Sequence, residues 1–172
     1  MNEAAQFGVT IRQTNNTPAW KAFSVRRLSA SENGSRHNVY VKVLTPTGER
    51  DRDPALLIGW TWEGRRDNEP APPVALDKAD SDTGHGNIPI MSIGQKIAVW
   101  ISGDGLWSDT VEGMHTNHPD EGPSNTRGHF SYEVIFQRAE SATQPPEPPV
   151  DGEVARLKAA MREAVAVLEA VL

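Results

Sequence analysis

Three histidines and an aspartate in the last third of the chain are the best candidates for metal ligands. The segment runs His115-Thr-Asn-His118-Pro-Asp120, and His129 follows downstream. The spacing of His115 and His118 allows two imidazoles to contact one ion, and His129 offers a third. Such a site would predict a metal-dependent hydrolase. The same Gly-, Pro- and Asn-rich stretch is also typical of a polar loop held by side-chain hydrogen bonds.

Carboxylates in two other loops are candidate ligands for a structural calcium ion. They are Asp77, Asp80 and Asp82 before Gly84, and Asp104 and Asp109 on either side of Gly105. Calcium takes oxygen ligands from loops of this kind, but neither spacing is that of an EF-hand. We therefore expect no obligatory cofactor, and a loop-bound Ca²⁺ is the alternative.

Tryptophan is the other side chain whose type and spacing indicate binding. Trp60 and Trp62 lie on the same face of one predicted strand, where they form either an exposed platform for a sugar or protein partner, or part of the core. Ile58 continues their stripe, which favours the core. Trp107 lies in a Gly-rich loop and is the better candidate for an exposed binding aromatic. Trp20 and Trp100 are interpreted as core or strand-edge residues.

Alternating apolar residues indicate the elements that position these side chains. The residues up to 138 contain about seven to nine short alternating segments separated by Pro- and Gly-containing turns, with no helical period. This pattern predicts a mainly β domain over 1–138, an Ig-like or jelly-roll-type β-sandwich, with a barrel as the alternative. Residues 103–128 are predicted to be an irregular loop.

A Pro-rich linker over 139–152 and an amphipathic helix over 153–172 are predicted to follow the sandwich. The helix has apolar residues at heptad a and d positions, widened by two neighbours: Val154, Leu157, Met161, Ala164, Val165, Leu168, Val171 and Leu172. So short a helix is marginal alone in water. It is expected to oligomerise, with a trimer favoured, or to attach the domain to a particle or capsid protein. Docking back onto its own sandwich is the alternative.

Composition excludes several classes of function. The 172 residues carry 23 acidic and 17 basic side chains, a net charge of −6, which disfavours a nucleic-acid partner. There is no cysteine, so disulfides and thiol chemistry are excluded. The first residues do not resemble a signal peptide, and no apolar run is long enough for a membrane span. We expect synthesis in the cytoplasm and no membrane partner, with a virion as a possible destination.

Short motifs along the predicted sandwich resemble a β-sandwich module of phage and phage-like virion structural or cell-wall-associated proteins. They span residues 37–138 and comprise Gly59–Arg66, Leu76–Lys78, Gly86–Ile90, Gln95–Ile101, Ser108–Val111, Met114–Thr116 and Gly128–Tyr132. The resemblance implies an accessory role, as a virion decoration or fibre module or as a surface-glycan-binding module. With the predicted helix, it favours a non-enzymatic structural or assembly protein. A carbohydrate-binding module that uses its tryptophans is the alternative.

Overall fold

Two β-sheets packed as a sandwich form the part of this chain that the structure describes. The computed structural model describes residues 1–92, 94–116 and 130–140, which fall within one compact unit, Met1–Ser141. Each sheet has five strands. The predicted mainly β sandwich is therefore confirmed. The predicted linker beyond Glu140 and the predicted helix over 153–172 lie outside the described residues.

The described residues contain ten strands and two short helical turns. The strands are β1 (Thr10–Arg12), β2 (Ala19–Arg27), β3 (Asn38–Leu44), β4 (Leu57–Trp62), β5 (Val74–Ala75), β6 (Gly86–Pro89), β7 (Ile97–Ser102), β8 (Trp107–Ser108), β9 (Thr110–Met114) and β10 (Tyr132–Ala139). A 3-10 helix covers Glu3–Phe7, and α1 covers Ala30–Asn33 behind a capping box of Ser29 and Glu32. Within these residues no helix has both the length and the apolar character to cross a bilayer.

The two sheets differ in how their strands run. Sheet I has the order β6-β3-β10-β2-β8, and its central strand β10 is antiparallel to β2 but parallel to β3. Sheet II has the order β1-β9-β7-β4-β5 and is antiparallel throughout. Strand β6 contains Pro89 and lies at an edge, which suits a proline because it cannot donate to a second neighbouring strand.

The core lies between the sheets and follows the alternation in the sequence. In β7 the side chains of Ile97, Val99 and Ile101 are buried, while Ala98 and Trp100 lie on the opposite, outer face of sheet II. Strands β3 and β10 alternate in the same way and bring valines, Tyr132 and Phe136 into the same cluster. Local side-chain period therefore fixes which face of each strand is inside.

A β-bulge breaks this rule in β2. Ser24 pairs with Ile135 and Ala22 with Phe136, so Phe23 has no partner in β10. The sequence period places Trp20 and Val25 on opposite faces, yet both are fully buried, and Phe23 is 57% exposed. That face assignment was wrong because the extra residue of a bulge reverses the parity of the strand beyond it.

The predicted irregular loop over 103–128 contains two strands, so this prediction was wrong for β8 and β9. Strand β9 pairs on both sides, with β1 and with β7. Its pattern is interrupted by Gly113, which has φ of 88° and approaches the backbone of Gly8 so closely that a Cβ would lie 2.6 Å from the Gly8 carbonyl oxygen. A glycine kink inside a strand removes the alternation by which the strand is recognised.

Candidate functional site

Trp107 is an exposed aromatic residue at the edge of sheet I. Its strand β8 is two residues long and pairs with the start of β2, where Ala19 lies opposite Trp107. The side chain is 62% exposed, although an indole is among the largest apolar surfaces a protein can bury. The predicted exposure of this tryptophan is thus observed, and its exposed surface is available to a ligand.

Asp104 holds the loop that precedes Trp107. One carboxylate oxygen accepts a hydrogen bond of 3.0 Å from the Leu106 backbone N–H, and the other accepts one of 2.8 Å from the indole Nε1–H of Trp20. Trp20 is completely buried. The backbone is therefore tied to the core, through Asp104, at the residue before Trp107. The sequence makes Asp104 a candidate calcium ligand; in the structure one of its oxygens binds the loop backbone and the other binds Trp20 of β2.

Trp100 forms a second aromatic surface, on the outer face of sheet II. It pairs directly with Gly59 of β4. A Cβ placed on Gly59 would lie 2.2 Å from the Trp100 indole nitrogen, so the ring covers the glycine backbone at a distance no other residue would allow. Because Gly59 has no side chain, the indole lies low on the sheet and leaves space above it.

An open groove of about 530 Å³ lies between these two tryptophans. We call it the Trp groove; it is lined by Arg12, Trp100, Ile101, Ser102, Gly103, Gly105, Leu106, Trp107, Ser108 and Thr110. The volume is within the usual range for small-ligand sites. Its lining combines two indoles with hydroxyl groups and a single charged residue, which is the composition of a site for an uncharged polar ligand with an apolar face.

Arg12 and Thr110 supply the polar edge of the Trp groove. Arg12 donates from Nε to Glu112 at 2.9 Å and from Nη2 to the Thr110 hydroxyl at 3.4 Å. The arginine side chain is 71% exposed, so solvent screens this ion pair and it contributes little to stability. Its guanidinium is held in place while part of its donor capacity still faces the groove.

The other two candidate tryptophans are part of the packing. Trp60 and Trp62 are partly buried against the core, and their ring centroids are 5.4 Å apart. The Trp60 indole donates to the Pro72 carbonyl at 2.8 Å. They do not contribute to the Trp groove. Sequence reasoning missed Trp100 instead, although its position between the buried Val99 and Ile101 already placed it on the outer face.

The candidate metal ligands are not gathered into a site among the described residues. His115 is described, and its backbone carbonyl accepts a hydrogen bond of 2.7 Å from the Tyr132 hydroxyl. His118, Asp120 and His129 lie outside the described residues. No group of three or more His, Asp or Glu side chains lies close enough to hold an ion in the described part. For the calcium candidates, Asp80 forms ion pairs with Arg50 and Arg52.

A buried ion-pair cluster on the outer face of sheet I has a structural role. Glu133 of β10 is 7% exposed and accepts hydrogen bonds from Arg26 at 2.9 Å and from Lys42 at 2.7 Å. Burial alone would raise the pKa of Glu133, but the hydrogen bonds from Lys42 and Arg26 outweigh it and lower that pKa. The cluster joins the three central strands of sheet I and offers no free charge to a ligand.

Comparison of this chain with protein-family models, with curated proteins and with solved structures gives no match.

Proposed function

We propose that this chain is a carbohydrate-binding module and that the Trp groove is its sugar-binding site. The observation that carries the proposal is the 62% exposure of Trp107 beside a second tryptophan in a polar-edged groove. The C–H face of a pyranose ring packs on an indole, and its hydroxyl groups hydrogen bond to charged and hydroxyl side chains at the edge. Arg12 and Thr110 provide such an edge.

Replacing Trp107 with alanine should weaken glycan binding by at least about tenfold, which corresponds to about 1.4 kcal/mol. The change removes the exposed stacking surface and leaves the core untouched. Binding is measured by isothermal titration with the strongest-binding glycan from an array. Phe23→Ala is the matched control, because Phe23 is also an exposed aromatic but does not line the groove.

A second variant tests the groove without removing any aromatic ring. Gly59→Ala places a Cβ where the Trp100 indole lies, so the ring has to move. We expect a change in intrinsic Trp fluorescence together with weaker binding. Unchanged affinity in both Trp107→Ala and Gly59→Ala would contradict the proposed site.

A second candidate function is that of a non-enzymatic structural or assembly protein, and the heptad pattern of 154–172 favours it. In this proposal the sandwich, of Ig-like or jelly-roll type, is displayed on a particle such as a virion, and the C-terminal helix attaches it there or joins copies, with a trimer favoured. The two functions are compatible, since a displayed module can bind surface glycans. Synthesis in the cytoplasm and a non-enzymatic role belong to the same proposal.

Removing the predicted helix should lower the oligomeric state. The full chain should have the solution mass of an oligomer, and a chain that ends at Ser141 should be a monomer, because the apolar heptad face is then lost. The measurement is light scattering after size-exclusion chromatography. Equal masses for the two chains would end the case for self-association, and a particle protein would remain as the partner.

A further inference from the structure

A second groove lies on the same outer face of sheet II as Trp100. It has a volume of about 380 Å³ and is lined by Thr10, Thr61, Trp62, Glu63, Lys96, Ala98, Glu112 and Gly113. We call it the Lys96 groove. It is lined by Thr10 from β1 and Thr61 from β4, so it crosses four of the five strands of sheet II. The proposed function leaves this groove without a role.

The register of sheet II makes the two grooves neighbours. The Trp groove takes Arg12, Thr110 and Trp100 from β1, β9 and β7, and the Lys96 groove takes the residues two positions away on the same strands: Thr10, Glu112 and Ala98. Two residues along a strand span about 7 Å, so the two grooves lie side by side on the sheet. The grooves meet at an ion pair, in which Nε of Arg12 from the Trp groove lies 2.9 Å from Oε1 of Glu112 from the Lys96 groove.

The charges along both grooves neutralise one another. Four charged residues line the two grooves, and they form two pairs: Arg12 with Glu112, and Lys96 with Glu63, each at 2.9 Å. No net charge is left to attract a carboxylate, sulfate or phosphate group. Exposed ion pairs of this kind still present donors and acceptors to hydroxyl groups. The face is therefore suited to an uncharged, hydroxyl-rich ligand.

We propose that the ligand is a linear, uncharged oligosaccharide that binds across both grooves, with one end on the tryptophans and the other beside Lys96. This inference rests on the proposed function and adds the class and length of the glycan. A monosaccharide occupies only the Trp groove. A chain of several sugars also contacts the Arg12–Glu112 pair and the Lys96 groove, so affinity increases with chain length until both grooves are filled.

The test uses the full chain and titrates neutral cello- and chito-oligosaccharides from one to six sugars, with oligogalacturonate as the acidic comparison. In the better-binding neutral series, affinity should rise with each added sugar and then level off. Lys96→Ala should weaken the binding of the longest oligosaccharide by about fivefold, because one hydrogen bond is lost. The affinity for the shortest ligand should not change. Ala98→Phe fills the Lys96 groove and should reduce the affinity for the longest ligand to that for the shortest.

Lys78→Ala is the matched control, because Lys78 is exposed and lines neither groove. Thermal unfolding of Ala98→Phe checks its fold, and Lys96→Ala tests the groove independently. Affinity that does not depend on length, an equal loss for short and long ligands in Lys96→Ala, or a preference for oligogalacturonate would overturn this inference and leave the proposed function standing. Binding of no oligosaccharide in these series or on a broad glycan array would overturn the proposed function itself.

Discussion

Replacing Asp109 with alanine should lower the free energy of unfolding by about 4 kcal/mol. The carboxylate is 2% exposed and accepts hydrogen bonds from the backbone N–H groups of Thr14 at 2.8 Å and Ala22 at 3.0 Å. The Lys21 ammonium lies 3.4 Å from it. Alanine leaves these groups without their acceptor, and each buried polar group without a partner costs about 1–3 kcal/mol. Denaturant unfolding provides the measurement.

Two further variants make the Asp109 result specific. Asp109→Asn keeps the shape but turns one acceptor into a donor, so it should also destabilise the protein. Glu63→Ala removes an exposed carboxylate paired with Lys96 and should change stability by less than about 1 kcal/mol. If Asp109→Ala were as stable as Glu63→Ala, the carboxylate would not be holding β2 and the segment before it.

The position of Asp109 also links stability to the proposed site. Its backbone N–H donates to the Trp20 carbonyl at 2.8 Å, and the residue directly follows β8, which carries Trp107. Asp104 anchors the other end of the same short strand. The short strand that carries Trp107 therefore has an aspartate that is tied to β2 on each side, the partly buried Asp104 before it and the buried Asp109 after it. Both aspartates are candidate calcium ligands by sequence, and in the fold both accept hydrogen bonds from backbone and indole groups.

Lowering the pH from 7.5 to 5 should destabilise the protein by about 2 kcal/mol through His85, and by about 3 kcal/mol at pH 4. His85 is 7% exposed, and its Nδ1 accepts a hydrogen bond of 3.1 Å from the Val43 backbone N–H. Burial, followed by the positive charges of Arg50 and Lys42, lowers its pKa to about 4. The stability that neutral His85 contributes is complete above the unfolded-state pKa of 6.5.

The direction follows from proton binding. Between pH 6.5 and 4 the unfolded chain takes up a proton on His85 that the folded chain does not, so stability falls as the pH falls. Unfolding free energies at pH 7.5, 6, 5 and 4 measure the slope. In His85→Gln this part of the slope should disappear, whereas His37→Gln, at an exposed histidine, should keep it. Glu133 has a lowered pKa, so the stability that its carboxylate contributes is lost only below pH 4.5. This loss is the same in the unsubstituted protein and in both histidine variants.

Most of the fold could be predicted because side-chain alternation is a local property. The strands around Val39–Val43, Ile97–Ile101 and Val134–Phe136 were recognised from period alone, and each buries the predicted stripe. The predictions failed where one residue changes the backbone. The bulge at Phe23 exchanges the inward and outward faces of β2 beyond it. The positive φ of Gly113 interrupts the alternation in β9, so this strand is not recognised from the sequence. The alternation of apolar and polar residues indicates neither a bulge nor a residue with positive φ.

The candidate site was predictable only in part. Trp107 was recognised from its Gly-rich loop, because a large aromatic between glycines has few local neighbours to cover it. For Trp100 the sequence predicts a core or strand-edge position, since nothing near it in the chain indicates that Gly59 lies beneath its ring. Nothing near Arg12 in the sequence indicates a role in binding. This residue reaches the groove through the pairing of β1 with β9, a contact between residues far apart in the chain.

The sequence by itself determined the class of the fold, the inward face of most strands, the negative charge and the exposed tryptophan. These depend on the chemistry of a residue and its immediate neighbours. Only the tertiary structure decided that two tryptophans border one groove, that Arg12 and Glu112 join it to a second groove, and that Asp104 and Asp109 are anchors. Each of these facts depends on strand order and register, which bring together residues that are far apart in the chain.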